Sequence, residues 1–141
     1  MAYPDNIQTL IDDFAFLGDW EERYMYVIDL GKKLPALAEG EKNDATKVKG
    51  CVSQVWLVTE LTRQTPPRFI FRGDSDAHIV KGLVAIVLEI FSDRTAKDIL
   101  AIEPEAILTE LDLTEHLSPQ RSNGLKAMIA RIKSMAEHAE H

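Results

Sequence analysis

The residue best suited to chemistry in this sequence is its single cysteine, Cys51, in the stretch KVKGCVSQVWLV at residues 47–58. A cysteine reacts as its thiolate, and its sulfur must be accessible. Gly50 lets the backbone turn tightly before the thiol and leaves no side chain to crowd it. Lys47 and Lys49 would lower the thiol pKa through space. The pattern predicts a reactive thiol where a polar loop becomes an apolar run.

Two alternatives remain open for Cys51. Free cysteine is among the most buried residue types, so its sulfur could simply fill space in a non-catalytic binding module. It could also be the nucleophile of a Cys–His thiol hydrolase, with His78 or His116 as the base. The sequence shows no third residue that would orient such a base.

Residues 73–78, GDSDAH, bring two carboxylates and a histidine together, which is a composition seen in metal sites. An Asp at the start of a helix also accepts hydrogen bonds from free N–H groups and complements the helix dipole. Asp76 directly precedes a helical pattern that begins at Ala77. We therefore interpret Asp76 as a helix cap, place His78 in the first turn, and predict no metal site.

Length and charge restrict the class of protein. The 141 residues suit one domain and show no repeat or linker, so we predict a single domain over residues 1–141. The net charge of −7 disfavours nucleic acid as a partner and suits a protein with a basic face. The lone cysteine, the absence of a membrane-spanning apolar stretch and the N-terminal sequence, which lacks a signal-peptide pattern, indicate a cytoplasmic protein without a membrane partner.

Hydrophobic periodicity predicts helices on both sides of a short β hairpin. The pattern over residues 77–91 is apolar on nearly every side and predicts a buried central helix. The predicted strands cover residues 52–61 and 68–72, with a break at Gly73. Capping residues mark the predicted helix starts, and we assign them to Asp5, Asp19, Asp76, Thr95 and Ser118. This order of elements is typical of the α+β class.

Three blocks of the sequence together resemble the SufE family of cysteine desulfuration proteins. The blocks are VKGCVSQVWLV, FRGDSDAHIVKGLVAIVL and EHLSPQRSNGLKAM. They occur in the order and spacing of the family, and the resemblance covers nearly the whole chain. It implies a small antiparallel sheet packed against helices, a fold shared with scaffold proteins similar to IscU.

The resemblance also implies a function. Members of the family accept sulfur from a pyridoxal-phosphate-dependent cysteine desulfurase, on a cysteine that corresponds to Cys51. That cysteine becomes a persulfide and hands the sulfur to an iron–sulfur cluster assembly scaffold, and the desulfurase is stimulated. The protein would be a cosubstrate and activator rather than a stand-alone enzyme, with no bound cofactor of its own. The sequence leaves open which of several paralogous desulfurases is the partner.

Around Cys51 we assign six residues to partner binding or loop support: Lys49, Gly50, Ser53, Gln54, Asp74 and Arg121. Arg121 lies at the start of the last predicted helix, a position that attracts anions. The third block of the resemblance places residues 118–125 near the loop. We expect the loop to hide the sulfur at rest and to swing it outward on docking, with Gly50 as the hinge.

Overall fold

The structure is a computed structural model that describes residues 3–50, 53–113 and 115–140. In the described residues, helices and a small sheet combine into an α+β fold, which confirms the predicted class. The elements are α1 (Asp5–Phe16), α2 (Trp20–Lys32), β1 (Val55–Leu61), β2 (Arg68–Ser75), α3 (His78–Phe91), β3 (Arg94–Thr95), α4 (Ala96–Ala101), α5 (Pro104–Glu110) and α6 (Pro119–Glu140). Within these residues, none of the helices combines the length and the apolar run that crossing a bilayer would need.

The three described strands form one antiparallel sheet in the order β1-β2-β3. The predicted hairpin is confirmed, and its register runs from Val55 opposite Ser75 to Leu61 opposite Phe69. The predicted break at Gly73 is wrong, because β2 continues through Ser75. Strand β3 was not predicted, since two residues are too few to show an alternating pattern.

Helix α3 is the centre of the core, as its sequence predicts. Nine of its residues are buried, which leaves only a narrow exposed face: Ile79, Gly82, Leu83, Val84, Ile86, Val87, Leu88, Ile90 and Phe91. One side of the helix packs against β2 and another against α2. Apolar burial of this extent is the main source of stability for such a domain.

Helices α2 and α3 touch through their backbones. A Cβ atom on Gly82 would lie 2.1 Å from the Val27 carbonyl oxygen, and one on Gly31 would lie 2.6 Å from the Gly82 nitrogen. Any side chain at either position would therefore push the helices apart. These two glycines set how closely the helices approach.

The helix caps agree with the sequence at some ends and differ at others. Asp19 accepts a hydrogen bond from the Glu22 N–H at 2.9 Å, and Thr95 accepts one from Asp98 at 3.2 Å, so both predicted caps are confirmed. The predicted caps Asp5 and Asp76 are wrong. Asp5 lies inside α1, whose N-cap is Pro4, and α3 begins at His78 with Ala77 as its N-cap.

Helix α6 is fixed to α4 by a lysine. The Lys133 ammonium donates to three carbonyl oxygens at the end of α4, those of Ile99 at 2.8 Å, Leu100 at 3.2 Å and Ile102 at 2.5 Å. A cation at a helix C-terminus satisfies carbonyls that have no partner within the helix. Burial lowers the pKa of Lys133 from its ordinary value. The contact holds α6 in place along its middle.

The segment that precedes β1 is tied to the sheet by an ion-pair network. Glu41 accepts a bidentate pair of hydrogen bonds from Arg72 on β2, at 3.1 and 2.5 Å. Arg72 also contacts Glu60 on β1 at 3.1 Å. Arg72 is thus half-buried between two carboxylates. This network joins the segment to both strands of the hairpin.

We predict that Gly82→Ala destabilises the protein by roughly 3 kcal/mol, the upper end of the usual cost of overpacking, because the new methyl group meets backbone rather than a flexible side chain. Urea unfolding measures the loss. Gly40→Ala is the control, because a Cβ there meets nothing within 4 Å. Equal stability of the two variants would contradict the close contact.

We predict that Glu41 titrates near pH 2. The hydrogen bonds from Arg72, together with that from the Ala38 N–H, lower the pKa of Glu41 from 4.5 to about 2. Its ion pair therefore contributes stability in full above about pH 4.5 and loses it as the pH falls towards 2. NMR of the side-chain carboxyl carbon gives the midpoint. In Arg72→Gln the midpoint should rise towards 4.5; an unchanged midpoint would show that Arg72 is not the cause.

Candidate functional site

Cys51 and Val52 lie outside the described residues, so the site is defined by the chain on either side of them. On the N-terminal side, the Val48 N–H donates to the Val55 carbonyl at 2.8 Å, and the Leu57 N–H donates to the Thr46 carbonyl at 2.8 Å. These bonds attach residues 46–48, which we call the N-terminal arm, to the start of β1. They form a single antiparallel bridge between Lys47 and Trp56.

Gly50 is the last described residue before Cys51, and its position requires a glycine. Its φ of +94° lies in the left-handed region, which L side chains rarely adopt. A Cβ on it would also lie 3.3 Å from the Ala127 Cβ on α6. The backbone therefore turns sharply against α6 immediately before the cysteine.

On the C-terminal side, Gln54 is held through its backbone. Its N–H donates to Asp76 Oδ1 at 3.1 Å, and its carbonyl accepts from Ser75 Oγ at 2.7 Å. The Asp76 N–H also donates to the Gln54 carbonyl at 3.3 Å. Asp76 thus fixes the loop of Cys51 instead of capping α3. The Gln54 side chain is exposed.

Helix α6 forms the floor of the site. Ser53 and Arg121 line a cavity of about 400 Å³. The other lining residues belong to α3, to α6 or to the position directly before α6: Val80, Leu83, Ser118, Gln120, Gly124, Leu125 and Met128. The segment 118–125 therefore lies beside the loop, where the sequence places it. Ser118 caps α6 by accepting from the Arg121 N–H at 3.3 Å. The lining thus combines apolar residues of α3 and α6 with polar ones, among which Arg121 is the only charged residue.

Asp74 lies on β2 and pairs with two lysines. Its side chain is 7% exposed and lies 3.3 Å from the Lys81 ammonium and 3.6 Å from that of Lys42. Burial alone would raise its pKa, but the Ser75 N–H and the two lysines outweigh burial and lower it. Lys42 also lies 5.2 Å from the centre of the Trp56 ring. Asp74 therefore stays ionised and joins Lys81 of α3 and Lys42, which lies over Trp56, to β2.

The six assigned residues fall into separate groups. Gly50, Ser53 and Arg121 meet at α6, and Gln54 joins them through the backbone. Asp74 lies on β2, opposite Trp56 in the register. Lys49 is exposed in the turn before Gly50, and the effect of its charge on the thiol stays a prediction.

The two candidate bases are placed differently. His78 is exposed at the first residue of α3. His116 stacks on Trp20 at 4.3 Å between ring centres and contacts Asp112 Oδ2 at 3.1 Å. Among the described residues, neither imidazole has a hydrogen bond to the chain flanking Cys51. The described contacts therefore give no support to a Cys–His hydrolase.

One cluster of possible metal ligands occurs among the described residues. The ligand atoms of Asp112, Glu115 and His116 lie within 4.8 Å of one another. It is not the set that the sequence suggested, Asp74, Asp76 and His78. The groups are largely exposed, and Asp112 also pairs with Arg23 at 3.4 Å. Nothing else in the described part of the chain points to an ion there.

Sequence analysis missed Arg131. This α6 residue donates from Nη1 to the Lys47 carbonyl at 2.6 Å, and its Nη2 donates to the Ala45 carbonyl. The sequence does show that Ala127 and Arg131 are four residues apart and so share one face of a helix. This spacing points to Arg131 only once the structure shows that the Ala127 face of α6 lies against the loop.

Comparison with known proteins identifies a family and a shared fold. The profile of the SufE family, described as an Fe-S metabolism associated domain, matches residues 8–136. An uncharacterized SufE-like protein of Rhizobium meliloti (strain 1021) is 55% identical over 133 residues, 94% of this chain and 95% of that protein. Another, of Rhizobium etli, is 52% identical over 133 residues, 94% of this chain and 90% of that protein.

A solved structure shares the fold. The solution structure of a hypothetical protein from Thermus thermophilus superposes with a TM-score of 0.77 and covers 98% of each chain, at 18% sequence identity. At that identity the likeness establishes the fold alone. The family profile and the two relatives establish more: the chain belongs to the SufE family, whose domain is associated with iron–sulfur metabolism.

Proposed function

We propose that the protein is a sulfur carrier that accepts persulfide sulfur on Cys51 from a cysteine desulfurase, stimulates that enzyme, and passes the sulfur to an iron–sulfur cluster assembly scaffold. The observation that carries the proposal is how the described residues on either side of the only cysteine are held. Residues 46–48 are bonded to β1, Gly50 lies against α6, Gln54 is bonded to Asp76, and Ser53 lines a cavity with Arg121. Membership of the SufE family supports the same chemistry.

The transfer is an exchange at sulfur. The Cys51 thiolate attacks the terminal sulfur of the donor persulfide, a new S–S bond forms, and the bond to the donor cysteine breaks. The donor cysteine leaves as a thiolate, so the step needs no external oxidant or reductant. A second cysteine nearby would attack the carried persulfide and release sulfide, and this chain contains no other cysteine.

The residues around the loop have separate tasks in this proposal. Gly50 provides the turn about which Cys51 moves between donor and recipient. The cavity of about 400 Å³ shelters the carried sulfur from solvent reductants, with Leu83, Leu125 and Met128 as apolar walls. Arg121 supplies a positive charge that favours the persulfide anion. Asp76 and the N-terminal arm keep both ends of the loop in place during the movement.

The proposal also covers partners and compartment. Pyridoxal phosphate belongs to the desulfurase, and the carrier needs neither a cofactor nor a metal of its own. The reducing cytoplasm suits a carrier that works through a free thiol. The net charge of −7 suits docking to a basic face of a partner protein.

We predict that Cys51→Ser abolishes sulfur acceptance. The protein is incubated with desulfurase and cysteine, and mass spectrometry looks for the mass of one added sulfur atom on the peptide that contains Cys51. In the native protein this gain should disappear on reduction. The variant should show no gain and no stimulation of the desulfurase, while circular dichroism shows an unchanged fold. Sulfur transfer at full rate by Cys51→Ser would refute the proposal.

The same experiment separates the alternatives. A thiol hydrolase would instead form an acyl adduct on Cys51 with an activated ester, and a packing cysteine would give neither product. The matched control is Ser134→Ala, which removes an exposed hydroxyl on α6 outside the cavity lining and retains the thiol. This control should still acquire the sulfur atom.

We predict that Gly50→Ala destabilises the protein by about 1 kcal/mol, since an L side chain at φ +94° is strained and the Ala127 Cβ is only 3.3 Å away. The variant should also show faster amide hydrogen exchange over residues 46–50, where the strained turn loosens. Gly40→Ala again serves as the control. Unchanged stability together with unchanged exchange would remove Gly50 as the proposed hinge.

A further inference from the structure

We propose that Arg131 is a positioning residue for sulfur acceptance: its guanidinium clamps the N-terminal arm of the Cys51 loop to α6 and sets the geometry in which the loop meets the sulfur donor. This inference rests on the proposed function, because it concerns how that loop is presented. The residue itself need not touch the sulfur.

The contact has the form of a clamp. One guanidinium donates through two nitrogens to two carbonyls, those of Lys47 at 2.6 Å and of Ala45. The guanidinium is planar and its donors are fixed relative to one another, so two bonds fix orientation as well as distance. The partners are backbone atoms, and they lie 84 and 86 residues away along the chain. The clamp therefore joins two distant segments independently of the side chains of the arm.

Among the described contacts, the arm has no comparable fastening elsewhere on α6. On its other side it is attached to β1 by the Val48–Val55 and Leu57–Thr46 backbone hydrogen bonds. Gly50 lies against Ala127, one helical turn before Arg131, but this contact is apolar and involves a single methyl group. Arg131 thus provides the polar fastening between α6 and the arm, four residues before Cys51.

The position of α6 is itself fixed. Lys133 attaches the same part of the helix to the end of α4. Residues 131 and 133 contact different neighbours, so the helix links α4 to the arm. A helix held in this way gives the clamp a stationary base, and loss of the clamp frees the arm without moving the helix.

The test uses three variants of the full chain. Arg131→Ala removes the clamp. Arg131→Lys keeps the positive charge but replaces the planar fork by a single point donor. Lys126→Ala removes one exposed positive charge from the same helix, where no described hydrogen bond or ion pair involves it, and so controls for net charge.

The first readout needs no partner. Amide hydrogen exchange of the free protein should become faster over residues 46–50 in Arg131→Ala by much more than in β2 and α3, and the thermal midpoint should fall by only a few degrees. Arg131→Lys should lie between Arg131→Ala and the native protein. Lys126→Ala should match the native protein.

The second readout is stimulation of the desulfurase as a function of carrier concentration. A freed arm must be ordered on docking, so Arg131→Ala should raise the half-saturating concentration about 10-fold, as expected for loss of hydrogen bonds to a charged donor, with the maximal rate unchanged. Native behaviour of Arg131→Ala in either readout would overturn the inference, because the first tests whether the clamp holds the arm and the second whether that matters for docking. A second result would also overturn it: Arg131→Ala and Lys126→Ala are equally defective and Arg131→Lys behaves like the native protein. In that case the positive charge of the helix, and not the clamp, would explain the effect.

The result can be told apart from failure of the proposed function. If the native protein gains no sulfur on Cys51, the proposed function fails, whatever the variants do. If the native protein gains sulfur and the exchange of residues 46–50 does not change in Arg131→Ala, only the clamp fails.

Discussion

The hydrogen bond from the Val48 N–H to the Val55 carbonyl closes the loop that contains Cys51. It converts a run of chain between a polar segment and a strand into a short closed turn, and short loops restrict the volume that their residues can explore. The other features of the site act on this closed loop. Asp76 holds its C-terminal end, Gly50 allows its turn, and α6 lies beneath it.

Sequence reasoning succeeded where the signal was local. The buried helix α3 was predicted because nearly every residue between 77 and 91 is apolar, and the hairpin because strand-forming residues flank a proline turn. It also identified the loop of Cys51, since a glycine between a lysine and the cysteine is visible without a structure. The class of the fold and the family follow from these elements and from the three sequence blocks.

Contacts between residues far apart in the sequence could not be predicted from the sequence. Asp76 resembles a helix cap in sequence, but its carboxylate accepts from the Gln54 N–H, 22 residues away. Arg72 resembles a solvated residue, because the Glu41 that pairs with it belongs to a segment with no periodic pattern. The role of Arg131 was missed for the same reason. The partner of each of these polar groups is determined by the folded arrangement, which single-sequence patterns do not contain.

The backbone contact between Gly31 and Gly82 has a mechanical consequence. Two helices whose main chains touch cannot slide past each other by rearranging side chains, so α2 and α3 behave as one stiff body. When a partner binds, conformational change occurs in the parts of the molecule that are least rigid. Deformation on binding is therefore confined to the segments outside these two helices.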